Sequence, residues 1–99
     1  MIKHIVMWQI KNHPSKKINA AQAKNLLESM REKIPGLIKI EVGINFIEDI
    51  NAADLVLYTE LKDQAALTIY QTHPIHEAVK PLLRDLTTER RVIDYVLED

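Results

Sequence analysis

From Leu37 onward apolar and polar side chains alternate: Ile38, Ile40, Val42, Ile44 and Phe46 fall on one side, and Lys39, Glu41 and Asn45 on the other. A period of two is the signature of a strand with one face on a core and one in water, and it assigns Phe46 to that core. The polar stretch 48–54 then reads as a hairpin-type loop. Residues 55–61 form a further strand, with Val56 and Tyr58 opposing Leu55, Leu57 and Leu61. The two strands are expected to be antiparallel neighbours.

The opening segment 2–11 is apolar on both alternating faces, Ile2, Val6, Trp8 and Ile10 against Ile5 and Met7. Such a strand is covered on both sides. A polar loop at 12–15 follows. Asn19, with Gln22 three residues on and Ile18 ahead of it, has the form of a capped helix start with a hydrophobic staple. Ala23, Leu26, Leu27, Met30 and Ile34 then recur at the spacing of one helix face, until Pro35 removes Ile34 from helical geometry and Gly36 turns the chain. Asp63 caps a short helix carrying Ala66, Leu67 and Tyr70. Pro74 opens another, with Ile75, Val79, Leu82 and Leu86 as its stripe, so the helical region breaks near His73. Residues 90–97 supply a last strand.

Strand, helix, strand, strand, helix, strand is the split βαβ order of a ferredoxin-like α+β domain, here spanning 1–99. Its four-stranded antiparallel sheet has helices on one face. A sheet whose first strand is apolar on both sides still needs a cover on its other face, and an exposed apolar patch beyond a few hundred Å² is uncommon on a monomer. A homodimer pairing sheet to sheet meets that need.

Composition narrows the partners. With 13 basic and 14 acidic residues the formal charge is −1, which lacks the positive footprint required by nucleic acid or an anionic membrane. Without cysteine there are no disulfides, thiolate metal sites or cysteine nucleophiles. His4 and Gln9 break the opening apolar run and no small-residue cleavage site follows it, so no signal peptide is expected. No apolar segment is long enough to span a bilayer, and a cytoplasmic protein is the default.

Candidate chemistry concentrates where the two later helical pieces meet, at Tyr70, His73, Pro74, Ile75 and His76, followed by Glu77. His73 and His76 are one helical turn apart, and His4 on the first strand is a third imidazole that could converge with them. In one reading His73 caps the helix that starts at Pro74, and His76 is a core histidine bonded to Tyr70 or to backbone. In a second, His76 is a general base beside Tyr70 in an apolar pocket. Imidazole titrates near neutrality and can take a proton from carbon next to a carbonyl, while the phenol donates to the developing enolate. The third and weakest is a zinc or iron site from His4, His73 and His76, since only Glu77 could add a carboxylate and it leaves their shared face. Trp8 is a candidate pocket wall. Asp94 and Tyr95 are assigned a structural hydrogen bond at most.

Lys3, His4, Ile5 and Val6, then Ile34, Pro35 and Gly36, Gly43 and Asn45, the Tyr70-to-His76 element, and Asp94 with Tyr95 together resemble the stress-responsive A/B barrel (Dabb) family from end to end. The tyrosine followed by His-Pro-x-His is the most specific part. The resemblance implies a dimeric α+β barrel with a pocket under the helices of each subunit. In plant polyketide cyclases similar to this family the tyrosine and the second histidine, here Tyr70 and His76, act as hydrogen-bonding partner and base. The first-strand histidine, here His4, lines the pocket. The chain departs from those cyclases at Leu55, where they carry histidine, and from many members at Leu61, where they carry phenylalanine.

Three functions follow. One is a small dimeric stress-responsive domain binding a small apolar ligand through His4, Trp8 and His73. Another is a cofactor-independent cyclase or lyase with His76 as base and Tyr70 as partner. The last is a cofactor-free monooxygenase of the dimeric barrel type. None implies a metal or cofactor.

Overall fold

The computed structural model describes residues 1–11 and 14–98; Asn12 and His13 of the expected polar loop lie outside the described residues. The first strand, β1 (Ile2–Ile10), runs into helix α1 (Lys16–Glu28). This helix starts a turn earlier than the Asn19 signal suggests. Ser15, itself a favoured cap residue, is the N-cap, and its carbonyl already accepts from the Asn19 N–H at 2.9 Å. Ile18 is exposed, so no staple forms. The apolar stripe outlasts the helix. After Glu28 the chain continues in i to i+3 turns, with Met30 N–H on the Leu27 carbonyl and Lys33 N–H on that of Met30, both at 3.2 Å, and these still bury Met30 and Ile34.

Gly36 then makes a turn that only glycine suits. Its φ is +81°, and a Cβ built there would lie 2.5 Å from that of Ala66. Strands β2 (Leu37–Ile44) and β3 (Leu55–Leu61) pair antiparallel. On β3 the alternation holds, with Leu55, Leu57, Thr59 and Leu61 all buried. On β2 it holds only for Ile40 and Val42, because a register shift between Leu37 and Lys39 carries Ile38 outward.

Phe46 corrects the sequence reading: it is 90% exposed, outside the core. The ladder stops at the Ile44–Leu55 pair. Asn45 then redirects the chain, its backbone N–H on the Asp54 carbonyl at 2.9 Å and its side-chain oxygen accepting from Ile47 N–H at 3.3 Å. This Asx-type turn takes over before the period of two can extend to Phe46.

The chain closes with α2 (Gln64–Thr72), α3 (Pro74–Leu86) and β4 (Thr87–Val96). The Asp63 carboxylate caps α2 by accepting from Ala66 N–H at 2.8 Å. The stripe of α3 runs through Val79 and Leu83, with Ile75 and Leu86 packed at its edge; Leu82, expected inward, points to solvent. Strand order is β2-β3-β1-β4 with every neighbouring pair antiparallel, the ferredoxin-like topology. The helices cover one face. The other carries Ile5 opposite both Tyr58 and Ile93, and Met7 opposite Val56. Among the described residues no helix is long and apolar enough to cross a membrane.

Candidate functional site

Period-two alternation on β1 sends Ile2, His4, Val6, Trp8 and Ile10 toward the helices, where all are buried. Tyr70 arrives from the last turn of α2 and His76 from the first turn of α3. The break between those helices turns on His73, whose extended backbone (φ −64°, ψ 136°) both ends α2 and starts α3. Its Nδ1 accepts from Ile75 N–H at 3.1 Å. Pro74, which has no N–H to satisfy, takes the first helical position.

Tyr70 consequently lies between two imidazoles. Its ring centroid is 4.5 Å from that of His76 at an interplanar angle of 38°, and 5.6 Å from that of His4 in an edge-on arrangement. A cavity of about 360 Å³ opens beside them, walled by Val6, Trp8, Leu27, Leu57, Val79 and Leu83, and lined also by His4, Tyr70 and His76, by Lys80 and Arg84 of α3, and by Thr87 and Arg90 of β4. The structure thus brings His4, Trp8, Tyr70 and His76 together at one space. His73 does not line it, and its imidazole is occupied as a helix cap. Leu55 does not line it either; the β3 residue that does is Leu57. Among the described residues no group of three or more His, Cys, Asp or Glu side chains could hold a metal ion.

Each imidazole has one nitrogen already engaged. His76 Nδ1 is 3.1 Å from the Gln71 carbonyl, which can only accept, so Nδ1 carries the proton and Nε2 is left as an acceptor. Removal from water pushes the pKa of His76 below its ordinary value, opposed by the Gln71 carbonyl and reinforced by the charge of Lys80. The net shift favours the neutral imidazole at pH 7. His4 Nδ1 is hydrogen-bonded to the Asp94 carboxylate of β4, and the His4 carbonyl accepts from the Thr59 hydroxyl at 2.6 Å. Ring orientation and main chain of His4 are both held.

Tyr70 has no such partner. Its side chain is 0% exposed, and among the described residues its hydroxyl finds no hydrogen-bond partner. Burial drives its pKa well above the ordinary phenol range, against the pull of Arg90. It is therefore a neutral donor beside a neutral acceptor.

Sequence reasoning missed Asp94 as the orienting partner of His4, and it missed the basic side chains of α3 and β4. The first depends on strand register: His4 and Asp94 are partners across the β1–β4 ladder. The second had a faint signal in the spacing of Lys80 and Arg84, which shares a helix face with His76.

Residues 2–97 match the Stress responsive A/B Barrel Domain family, Dabb. A crystal structure from Bacteroides fragilis, described as a dimeric protein of unknown function with a ferredoxin-like fold, is 29% identical, with 97% of this chain and 95% of that one covered and a TM-score of 0.83. A Dabb family protein from Mesorhizobium loti is 27% identical over 99% of this chain and 97% of that one, with a TM-score of 0.73. A hydroxynitrile lyase from Passiflora edulis, only 13% identical, has a TM-score of 0.83 with 99% and 94% covered and shares the fold alone. No curated protein matches the chain.

Proposed function

Because the chain belongs to the stress-responsive A/B barrel (Dabb) family, we propose that it works as a homodimer in which each subunit binds a small, largely apolar carbonyl compound and moves a proton on it without a cofactor. The observation that carries this reading is the buried Tyr70 hydroxyl, without a partner among the described residues, on a ring whose centroid is 4.5 Å from that of His76, an imidazole with its Nε2 left free. A hydroxyl taken out of water and left unpaired costs on the order of 1–3 kcal/mol. The hydroxyl shows no accessible surface in the unliganded protein, so a carbonyl oxygen in the cavity would offset that cost once binding shifts the ring to present it.

The chemistry follows from the two protonation states. His76 Nε2 removes a proton from carbon adjacent to the carbonyl, and the C–H electron pair moves into the new C=C bond while the carbonyl electrons move onto oxygen. Tyr70 donates its hydrogen bond to that oxygen as charge builds. The enolate carbon then attacks a second carbonyl, as in aldol-type ring closure, leaving an alkoxide, or its electron pair forms a double bond to the β-carbon as the bond from that carbon to a leaving group breaks. Imidazolium returns the proton. His4, oriented by Asp94, and Trp8 shape the space around the substrate.

Dimerisation is supported by the uncovered sheet face, where Ile93 is 53% exposed and Met7, Val56 and Tyr95 lie around Ile5. The Bacteroides fragilis relative is described as dimeric.

A second reading, ligand binding without turnover, draws on the structural use of the same element: His73 caps α3 and His76 Nδ1 ties it to the Gln71 carbonyl. Deuterium exchange separates the two. In D2O, small apolar ketones and 1,3-diketones should lose their α-proton NMR signals faster with the protein than without it, and His76→Asn should abolish that acceleration while ligand-induced change in Trp8 fluorescence persists. Exchange that survives in the folded variant refutes the base assignment; binding with no exchange in either protein selects the binding-only reading.

A further inference from the structure

The cavity that this proposed function relies on is lined by apolar side chains together with three cationic ones. Lys80 and Arg84 stand one turn apart on α3 and Arg90 stands across from them on β4, all three lining the cavity. None of the lining side chains is acidic among the described residues. Lys80 is paired with Glu77 at 2.7 Å, but Arg84 and Arg90 enter no ion pair within the described residues. In a chain whose formal charge is −1, this local excess of positive charge is not inherited from composition.

The position of Arg90 is built by an irregularity of the sheet. The β1–β4 register pairs Met7 with Arg91 and Gln9 with Thr88, so Glu89 and Arg90 together oppose the single residue Trp8. Glu89 adopts φ +53°, a left-handed conformation uncommon for a residue other than glycine. A bulge of this kind re-aims a side chain and recurs next to functional sites. Here it puts Arg90 on the side of the sheet that faces the helices, beside Trp8, and the charge of Arg90 is felt at the Tyr70 hydroxyl. Cationic side chains at the edge of a low-dielectric cleft concentrate the field inside it.

We propose that the ligand of this cavity is an amphiphilic anion, with an apolar body against Trp8, Leu27 and Leu83 and a carboxylate or phosphate head group held by Arg84 and Arg90. Both guanidiniums present planar forks suited to a two-oxygen head group. The inference rests on the cavity being a binding site, and it specifies the class of molecule that enters.

The sole tryptophan of the chain is in the cavity wall, 5% exposed, so binding can be followed by its fluorescence without a label. Octanoate, octyl phosphate and 1-octanol share one apolar body and differ in the head. At neutral pH and low salt at least one of the two anions should bind roughly tenfold or more tightly than octanol, a preference set by charge-assisted pairing. The tighter of the two identifies the head group as carboxylate or phosphate. The double variant Arg84→Gln/Arg90→Gln, at two exposed positions, should lose the preference and keep the octanol affinity. Added salt should weaken the anions and leave octanol unchanged. Octanol binding as tightly as both anions, or a preference that survives the double variant, overturns this proposal alone. No Trp8 response to any of the three overturns it together with the reading beneath it.

Discussion

Replacing Tyr70 by phenylalanine should make the protein more stable and its site worse. The tyrosine side chain is 0% exposed and its hydroxyl has no partner among the described residues, so the folded state carries a desolvation cost on the order of 1–3 kcal/mol that the unfolded chain, hydrated, does not. Phenylalanine removes that cost and leaves in exchange a void of about 10–15 Å³, worth roughly 0.3 kcal/mol at about 24 cal/mol per Å³. The net gain is roughly 0.7–2.7 kcal/mol. For a domain of this size each kcal/mol moves the melting temperature by roughly 4–8 °C. Thermal unfolding followed by circular dichroism, with both proteins at one protomer concentration because any self-association would contribute to apparent stability, should therefore place Tyr70→Phe at least about 3 °C above the wild type. The same variant should lose affinity for a carbonyl ligand. An unchanged or lowered melting temperature would refute the reasoning, since it would mean that the hydroxyl is already satisfied in the unliganded protein and is not kept in reserve for a ligand.

Gly36→Ala should cost roughly 2–4 kcal/mol in urea unfolding, because the left-handed φ of +81° is unfavourable for alanine and its Cβ would meet that of Ala66 at 2.5 Å; a loss below about 1 kcal/mol would show that the turn adapts. Ile93→Lys, on the uncovered sheet face, should convert a dimeric sedimentation profile to a monomeric one, and identical profiles for variant and wild type would remove that face as the interface. Because burial lowers the pKa of His76, the unfolded chain takes up a proton below about pH 6.5 that the folded state refuses. Urea midpoints should accordingly fall as pH drops from about 6.5 toward the folded-state pKa, and His76→Asn should flatten that slope; an equal slope in the variant assigns the dependence to another group.

Much of this molecule was written in short stretches of chain. The Asp63 cap, the break at His73 before Pro74, the turn at Pro35 and Gly36, and the alternation of Leu55, Leu57 and Leu61 each depend on residues within a few positions of one another, and each stands in the structure where the pattern puts it. Local errors arose where two nearby signals competed. Asn19 has the form of a cap, but the chain had already entered its helix at Lys16. Phe46 continues an alternating run, but the hydrogen bonds of Asn45 with Asp54 and Ile47 end the strand first.

The site divides along the same line. Tyr70 and His76 were legible because one helix junction holds both. Tertiary structure alone decided that Asp94 orients His4 across a ladder joining the two ends of the chain, that His73 is spent on a cap outside the cavity, and that a one-residue bulge opposite Trp8 brings Arg90 to the same space as Arg84. The physical reason is that local sequence encodes the backbone conformation and the buried face of each element. The register between strands distant in sequence is set only when those faces pack together, and a shift of one residue there changes which side chains share a cavity.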